Sequence, residues 1–255
     1  MVTFPGRWMR ERNYHENALH YGTQEVSSNY GSSSHDMNPC VFLKSKNATM
    51  DYGEVIGFNL IYSGNFKFRA NVGKYNSTQI SYGLNDEDFC WSLASGARFV
   101  TPQAVISYSY QGVDKMSQNF HAFIKQNLIS YKFDRDYKPV LFNSWEGCYF
   151  NFNTESVISY INDAVKIGTE LFVLDDGWFG ARNDDTSSLG DWFVNTDKVD
   201  LHKVMDHCKQ LGIKFGIWFE PEMISPNSDL YRAHPDWCLH APGRSRTEAR
   251  QQLIL

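Results

Sequence analysis

From residue 139 onward the chain repeats one unit: an apolar run, a polar and aromatic break, an amphipathic stretch closed by glycine, and another apolar run. The apolar runs are 139–143, 171–174 and 213–219. Between them Val157, Ile158, Ile161, Ala164 and Val165 mark one helical face ahead of Gly168, and Leu201, Val204, Met205, Cys208 and Leu211 mark another ahead of Gly212. A third helix is expected from 228 to 233, leading into 237–240. The run 139–143 reads as a short buried strand, and 171–174, apolar at every position, as a parallel strand covered on both faces. Strand and helix in strict alternation leave few architectures. An open doubly wound sheet and a (β/α)8 barrel are the candidates, and both place their sites where the strands end.

The first 110 residues follow a different pattern. Short apolar and aromatic runs at 54–63, 66–70, 78–82 and 99–110 are separated by Gly64-Asn65, Gly73 and Gly83, which predicts antiparallel strands of a β-sandwich. Met116, Phe120, Phe123, Ile124 and Leu128 then recur at helical spacing, so 115–129 is expected as an amphipathic connecting helix. A polar stretch, 130–138, ends before Pro139 and marks the boundary. The expected organisation is a sandwich portion over 1–114, a connecting helix and linker over 115–138, and a barrel portion over 139–255.

The ends of the three later strands carry the chemistry. The first runs into Asn143-Ser144-Trp145-Glu146, the second into Asp175-Asp176-Gly177-Trp178, and the third into Trp218-Phe219-Glu220-Pro221-Glu222. One aspartate at a strand end is an ordinary helix cap, and one aromatic there is ordinary core. Three consecutive strands that each bring a tryptophan and a carboxylate to one rim form a pattern. Carboxylates accept hydrogen bonds from hydroxyl groups, and aromatic faces stack on the C–H faces of a sugar ring. A phosphate ligand would want the opposite charge. Twenty-four Lys and Arg against 29 Asp and Glu, a net charge of -5, give no electrostatic reason to expect nucleic acid or an anionic membrane surface. No apolar run approaches the roughly 18 residues of a membrane span, and 1–12 carries Pro5, Gly6 and arginines in place of a leader's apolar core.

Other chemistries lack a motif. Asp175-Asp176 has no third oxygen ligand or glycine-rich phosphate loop beside it for a divalent cation. His202 and His207 are off the i, i+4 spacing of a zinc helix. Neither G-x-S-x-G nor a histidine partner for Cys148 is present. No metal and no cofactor are expected. The five cysteines, scattered and without C-x-x-C, read as packing thiols of a reducing compartment, which places the protein in the cytoplasm.

The run Leu174-Asp175-Asp176-Gly177-Trp178-Phe179-Gly180, then Leu189-Gly190-Asp191-Trp192 and Phe215-Gly216-Ile217-Trp218-Phe219-Glu220-Pro221-Glu222-Met223, closely resembles the α-galactosidases of glycoside hydrolase family 36. The likeness continues through Ser225-Pro226-Asn227-Ser228-Asp229, His234-Pro235-Asp236-Trp237 and Pro242-Gly243-Arg244. Upstream, Trp8-Met9-Arg10-Glu11-Arg12, Ser33-Ser34-His35 with Asn38-Pro39, Gly53-Glu54-Val55 and Tyr62-Ser63-Gly64-Asn65-Phe66 are similar to the same family's β-supersandwich domain. The motifs are long, ordered and spread over nearly the whole chain.

The resemblance implies a β-supersandwich followed by a (β/α)8 barrel, and retaining hydrolysis of terminal α-D-galactosides such as melibiose and raffinose without a metal. Such chemistry uses two carboxyls about 5–5.5 Å apart, a nucleophile and an acid/base. The family's nucleophile is the Asp of a Lys-Trp-Asp strand end, and neither that motif nor the acid/base Asp is found here, so no catalytic residue is assigned. What carries over is recognition: Asp175 and Asp176 as acceptors for galactose hydroxyls, Trp145 and Trp218 as walls, Arg250 as a substrate contact, and Trp8 as a tryptophan contributed by the sandwich. Glu220 and Glu222, which the family does not use as its catalytic pair, are assigned roles that are either structural or in support of the residues that touch substrate. A barrel takes about 250 residues, and 139–255 is less than half of that, so both domains are expected to be incomplete and the isolated chain inactive. The full-length protein is implied to be a homotetramer. Three departures stand out: a shortened stretch at Lys198-Val199-Asp200-Leu201, Ala249 where the family often has Gly, and Gln251 where it often has Asn. Two other readings remain at this point, a non-catalytic galactoside-binding remnant and a galactosyl transferase of the raffinose-synthase type.

Overall fold

Val55, Gly57 and Asn59 point to one side of a strand while Ile56, Phe58 and Leu60 point to the other, so this segment needs a partner layer on each face. The computed structural model supplies both. It describes residues 1–34, 36–75, 77–129 and 138–255; His35 of the serine–histidine motif and most of the 130–138 boundary stretch lie outside the described residues. The chain forms two units, Met1–Arg135 and Asp136–Leu255.

In the first unit β1 (Val2–Thr3), β2 (His15–Glu16), β3 (Gly22–Ser28), β4 (Cys40–Lys44), β5 (Val55–Ile61), β6 (Phe66–Val72), β7 (Thr78–Leu84) and β8 (Gln103–Ser109) precede α1 (Gly112–Asn127). They make two antiparallel sheets, ordered β2-β1-β4-β5-β8 and β3-β6-β7. Val41, Phe58 and Leu60 of the first sheet pack with Val26, Phe66, Phe68 and Ala70 of the second, which is the sandwich core. The opposite face of the larger sheet packs on α1 through Val2, Phe42, Val55, Met116 and Phe120. Gly57 makes that approach possible: a Cβ there would lie 2.5 Å from both Met116 Sδ and Phe120 Cε2. The apolar face of α1 is shorter than its periodicity predicts. Leu128, expected on it, is the exposed C-cap residue, because the helix has already ended.

The second unit runs β9 (Leu141–Asn143), α2 (Trp145–Cys148), α3 (Thr154–Lys166), β10 (Leu171–Leu174), α4 (Leu201–Gln210), β11 (Lys214–Ile217), β12 (Met223–Ile224), α5 (Asp229–Ala233), a 3-10 turn at Pro235–Trp237, β13 (Glu248–Ala249) and β14 (Gln252–Ile254). β9, β10 and β11 are parallel neighbours in chain order, with Leu171 opposite both Leu141 and Lys214. Asn153 caps α3 in a reciprocal box with Ser156, and Asp200 caps α4. Phe172 and Leu174 pack with Val157 and Ile161 of α3 and Val204 and Cys208 of α4. One face of the sheet is therefore helix-covered. Three expectations are corrected here. Leu141 is exposed rather than buried, because β9 is an edge strand and Leu141 faces away from the helices. Leu171 and Val173, on that same face, are half-buried, so β10 is closed on one side only among the described residues. Met205 and Leu211 sit at the rim of α4 rather than inside it. β12, β13 and β14 form a separate small antiparallel sheet whose hairpin carries Arg250.

Candidate functional site

The ends of β9, β10 and β11 are cross-linked before any ligand is considered. Ser144 N–H donates to the Val173 carbonyl at 3.0 Å and Ser144 Oγ accepts from Asp175 N–H at 3.0 Å. Asn143 Nδ2 donates to Asp175 Oδ2 at 2.6 Å, while Asn143 Oδ1 accepts from Trp145 N–H at 2.8 Å. Trp218 N–H continues the ladder to the Leu174 carbonyl at 3.0 Å, and Trp178 Nε1 donates to the Trp218 carbonyl at 3.0 Å. These bonds join the segment after each strand to its neighbour, so the side chains there are aimed by the sheet.

Trp145, Asp175, Asp176, Trp218 and Arg250 line one cavity of ≈ 270 Å³ at these strand ends. That is just under the range of about 300–1,000 Å³ usual for small-molecule sites. Phe219, Glu220 and Glu222 complete the lining. Five of the six side chains expected from the sequence are brought together. Trp8, the sixth, lies in the first unit, on a turn closed by paired bonds between Arg7 and Arg10, and is 74% exposed.

The two adjacent aspartates have different surroundings. Asp175 is half-buried and held by neutral donors, Asn143 Nδ2 and, at 2.8 Å, the Asp176 N–H. Asp176 is 5% exposed and paired with the buried Arg182. Arg182 Nε donates to Oδ1 at 3.0 Å and Nη2 to Oδ2 at 2.8 Å, while Nη1 donates to the Ser187 carbonyl at 3.0 Å. This is the bidentate guanidinium–carboxylate fork. Gly177 follows with φ +98°, and a Cβ there would crowd Phe150, Phe152 and Lys198 Nζ.

Glu220, expected in a structural role or in support of the substrate contacts, faces the cavity. Burial pushes its carboxyl above the usual range, Glu222 and Asp176 add to the rise, and Arg250 and Arg182 oppose it. Its ion pair with Arg250 spans 3.7 Å, between a Glu220 side chain 11% exposed and an Arg250 side chain 72% exposed. Arg250 and Gln251 are the two turn residues of the β13–β14 hairpin, with φ of +51° and +68°. Burial also lowers Lys198, whose Nζ stands 4.3 Å over the Phe152 ring, with Asp176 opposing the shift. Cys148, buried, donates its thiol to the Ser144 carbonyl, and burial raises its pKa. Among the described residues no three His, Cys, Asp or Glu side chains are grouped to hold a metal ion. No helix there is long and apolar enough to cross a membrane.

Sequence reasoning passed over Arg182, Phe219 and Lys198. Arg182 follows Asp176 by six residues in a polar loop, and nothing in that spacing announces a pair. The cavity offers carboxylates, one exposed guanidinium and two indoles, a set suited to a neutral polyhydroxy ligand bound by hydrogen bonds and stacking.

The melibiase family model matches residues 98–255, and the glycosyl hydrolase family 36 N-terminal domain matches residues 1–94. The alpha-galactosidase AgaA of Geobacillus stearothermophilus is 46% identical over 256 residues, covering all of this chain and 35% of the relative. Alpha-galactosidase Mel36A of Lactobacillus acidophilus is 43% identical over 257 residues, with 100% and 35% covered. The crystal structure of AgaA superposes with a TM-score of 0.96 at 47% identity, over 100% of this chain and 36% of that one. The chain thus spans about a third of the length of these relatives. A family model that covers most of the chain, with a second over the remainder, settles its kinship: the chain belongs to the melibiases of glycosyl hydrolase family 36.

Proposed function

We propose that the cavity at the ends of β9, β10 and β11 is the galactose-recognition part of an α-galactosidase site, and that the whole protein hydrolyses terminal α-galactosides. One observation carries the reading: Trp145, Asp175, Asp176, Trp218 and Arg250, scattered over more than a hundred residues, line one cavity. In this reading Asp175 and Asp176 accept from sugar hydroxyls through the lone pairs their protein donors leave open, Trp145 and Trp218 are the stacking walls, and Arg250 closes one side. Substituted forms of AgaA itself, solved with stachyose and with raffinose at TM-scores of 0.95 to this chain, support an α-galactoside as the ligand class. A homotetrameric assembly of the full-length protein and a cytoplasmic location belong to the same proposal. The chain's own contribution is binding; a retaining mechanism also needs a nucleophile and an acid/base carboxyl.

Calorimetric titration of the 255-residue chain with galactose and with glucose tests the reading. Saturable uptake of galactose, weakened by Arg250→Ala and well above that of glucose, is expected. No heat with galactose, or equal affinity for both sugars, would refute it. Product analysis of the full-length protein on raffinose separates hydrolysis, which releases free galactose, from galactosyl transfer.

A further inference from the structure

Arg182 is buried to 1% exposure, yet its guanidinium touches a residue of the cavity wall. A cation in that position requires a reason, because burying it without partners is expensive. Its partners account for three of its nitrogens: Nε and Nη2 on Asp176 and Nη1 on the Ser187 carbonyl. The guanidinium carbon also lies 5.5 Å from the centre of the Phe150 ring. That same ring meets the indole of Trp145 edge-on, with centroids 5.1 Å apart. One buried side chain therefore contacts the Asp176 carboxylate directly and the Trp145 wall through Phe150.

The geometry points to Arg182 as a positioning residue for sugar recognition. A bidentate fork fixes the plane of a carboxylate, and with it the directions in which the remaining lone pairs face. Asp176 thus presents its free acceptor positions along set directions. Asp175, held by Asn143 Nδ2 and a backbone N–H, has no such fork. A sugar hydroxyl that meets Asp176 along those directions is bound without reorganisation, and an epimer with that hydroxyl turned away is not. Arg182 itself need not touch the ligand. The inference rests on the galactose-binding reading given above and adds to it the origin of the discrimination between epimers.

Arg182→Lys is the decisive variant, because it keeps a positive charge beside Asp176 but cannot make a planar fork and reach the Ser187 carbonyl together. It is expected to keep a cooperative melt, to bind galactose at least tenfold more weakly and to lose most of its preference for galactose over glucose. The Arg182 Nε–H signal in proton–nitrogen spectra of the 255-residue chain should exchange slowly with water, and should lose that protection in Asp176→Asn. The doubly substituted chain, Arg182→Met with Asp176→Asn, leaves no unpaired buried charge. Its loss of galactose affinity should equal that of Asp176→Asn alone, because Arg182 acts through Asp176. Wild-type affinity and selectivity in a folded Arg182→Lys chain, or a double variant much weaker than Asp176→Asn, would overturn the positioning role while leaving the galactose reading standing. A wild-type chain that takes up no galactose overturns both.

Discussion

Asp176→Asn removes the negative half of an ion pair whose side chains are 1% and 7% exposed, at 2.8 Å. The amide keeps one acceptor for Arg182, but the buried guanidinium loses its only directly hydrogen-bonded carboxylate; Asp185, 3.9 Å from Nη2 and 53% exposed, compensates it weakly. Breaking a buried pair from one side costs about 3–5 kcal/mol, a large part of the roughly 5–15 kcal/mol that stabilises an ordinary domain. With a urea slope of about 2 kcal/mol/M, the midpoint should fall by about 1.5–2.5 M. The chain carries its own control. Lys166 and Asp163 on α3 also stand 2.8 Å apart, but their side chains are 73% and 67% exposed. Asp163→Asn should shift stability by no more than about 0.5 kcal/mol, because solvent screens that pair. Tryptophan fluorescence follows the relevant unit, since Trp145, Trp178, Trp192, Trp218 and Trp237 all lie within it. If Asp176→Asn and Asp163→Asn shift the urea midpoint equally, burial is not what gives the Asp176–Arg182 pair its weight, and the reasoning fails.

Gln251 occupies a left-handed turn position that favours glycine, so Gln251→Gly should raise the stability of the second unit by about 0.5–1 kcal/mol; a lower urea midpoint would contradict the turn assignment. Because burial raises the Glu220 pKa, wild-type stability should decline as pH climbs from the ordinary glutamate value through the raised one, and no further loss from this group should follow above it. Glu220→Gln should show no such decline, so the two chains should diverge towards neutral pH with the variant the more stable. Parallel pH curves would remove Glu220 as the cause. In the first unit Gly57→Ala puts a methyl into space held by Met116 and Phe120, at 2.5 Å from each, and should destabilise by about 1–3 kcal/mol. Far-ultraviolet circular dichroism during thermal unfolding reads this, and an unchanged melt would mean α1 is free to shift off the sheet.

Periodicity made β5 to β8 and β9 to β11 legible, because strand spacing and buried apolar runs are local signals. It located α3 and α4 as well, where the faces built on Val157 and Ile161 and on Val204 and Cys208 carry the packing. It did not locate β1 to β4 as strands. Val2–Thr3 is a two-residue pairing on the edge of the longer β4, and His15–Glu16 pairs in turn with Val2–Thr3, so neither carries a repeat that can be read locally. The exposure of Leu141 was likewise hidden, since an apolar residue reads the same on an edge strand as on a central one.

The site divides along the same line. The residue types that gather at the strand ends are legible along the chain, because each follows its own apolar run within a few positions; Trp145, Asp175, Asp176, Trp218 and, through the resemblance, Arg250 are found in this way. What each carboxylate faces is set by the packing of remote segments. Asp175 and Asp176 are neighbours in the chain and identical in chemistry, yet one meets an amide and the other a buried guanidinium. Glu220 is distinguished from Glu222 in the same way, by burial and by the approach of Arg250 from a hairpin thirty positions away. Hydrophobic burial follows a repeat that can be read along the chain, whereas pairing of charges depends on distances of a few ångströms between segments remote in sequence, and those distances are set only when the chain packs.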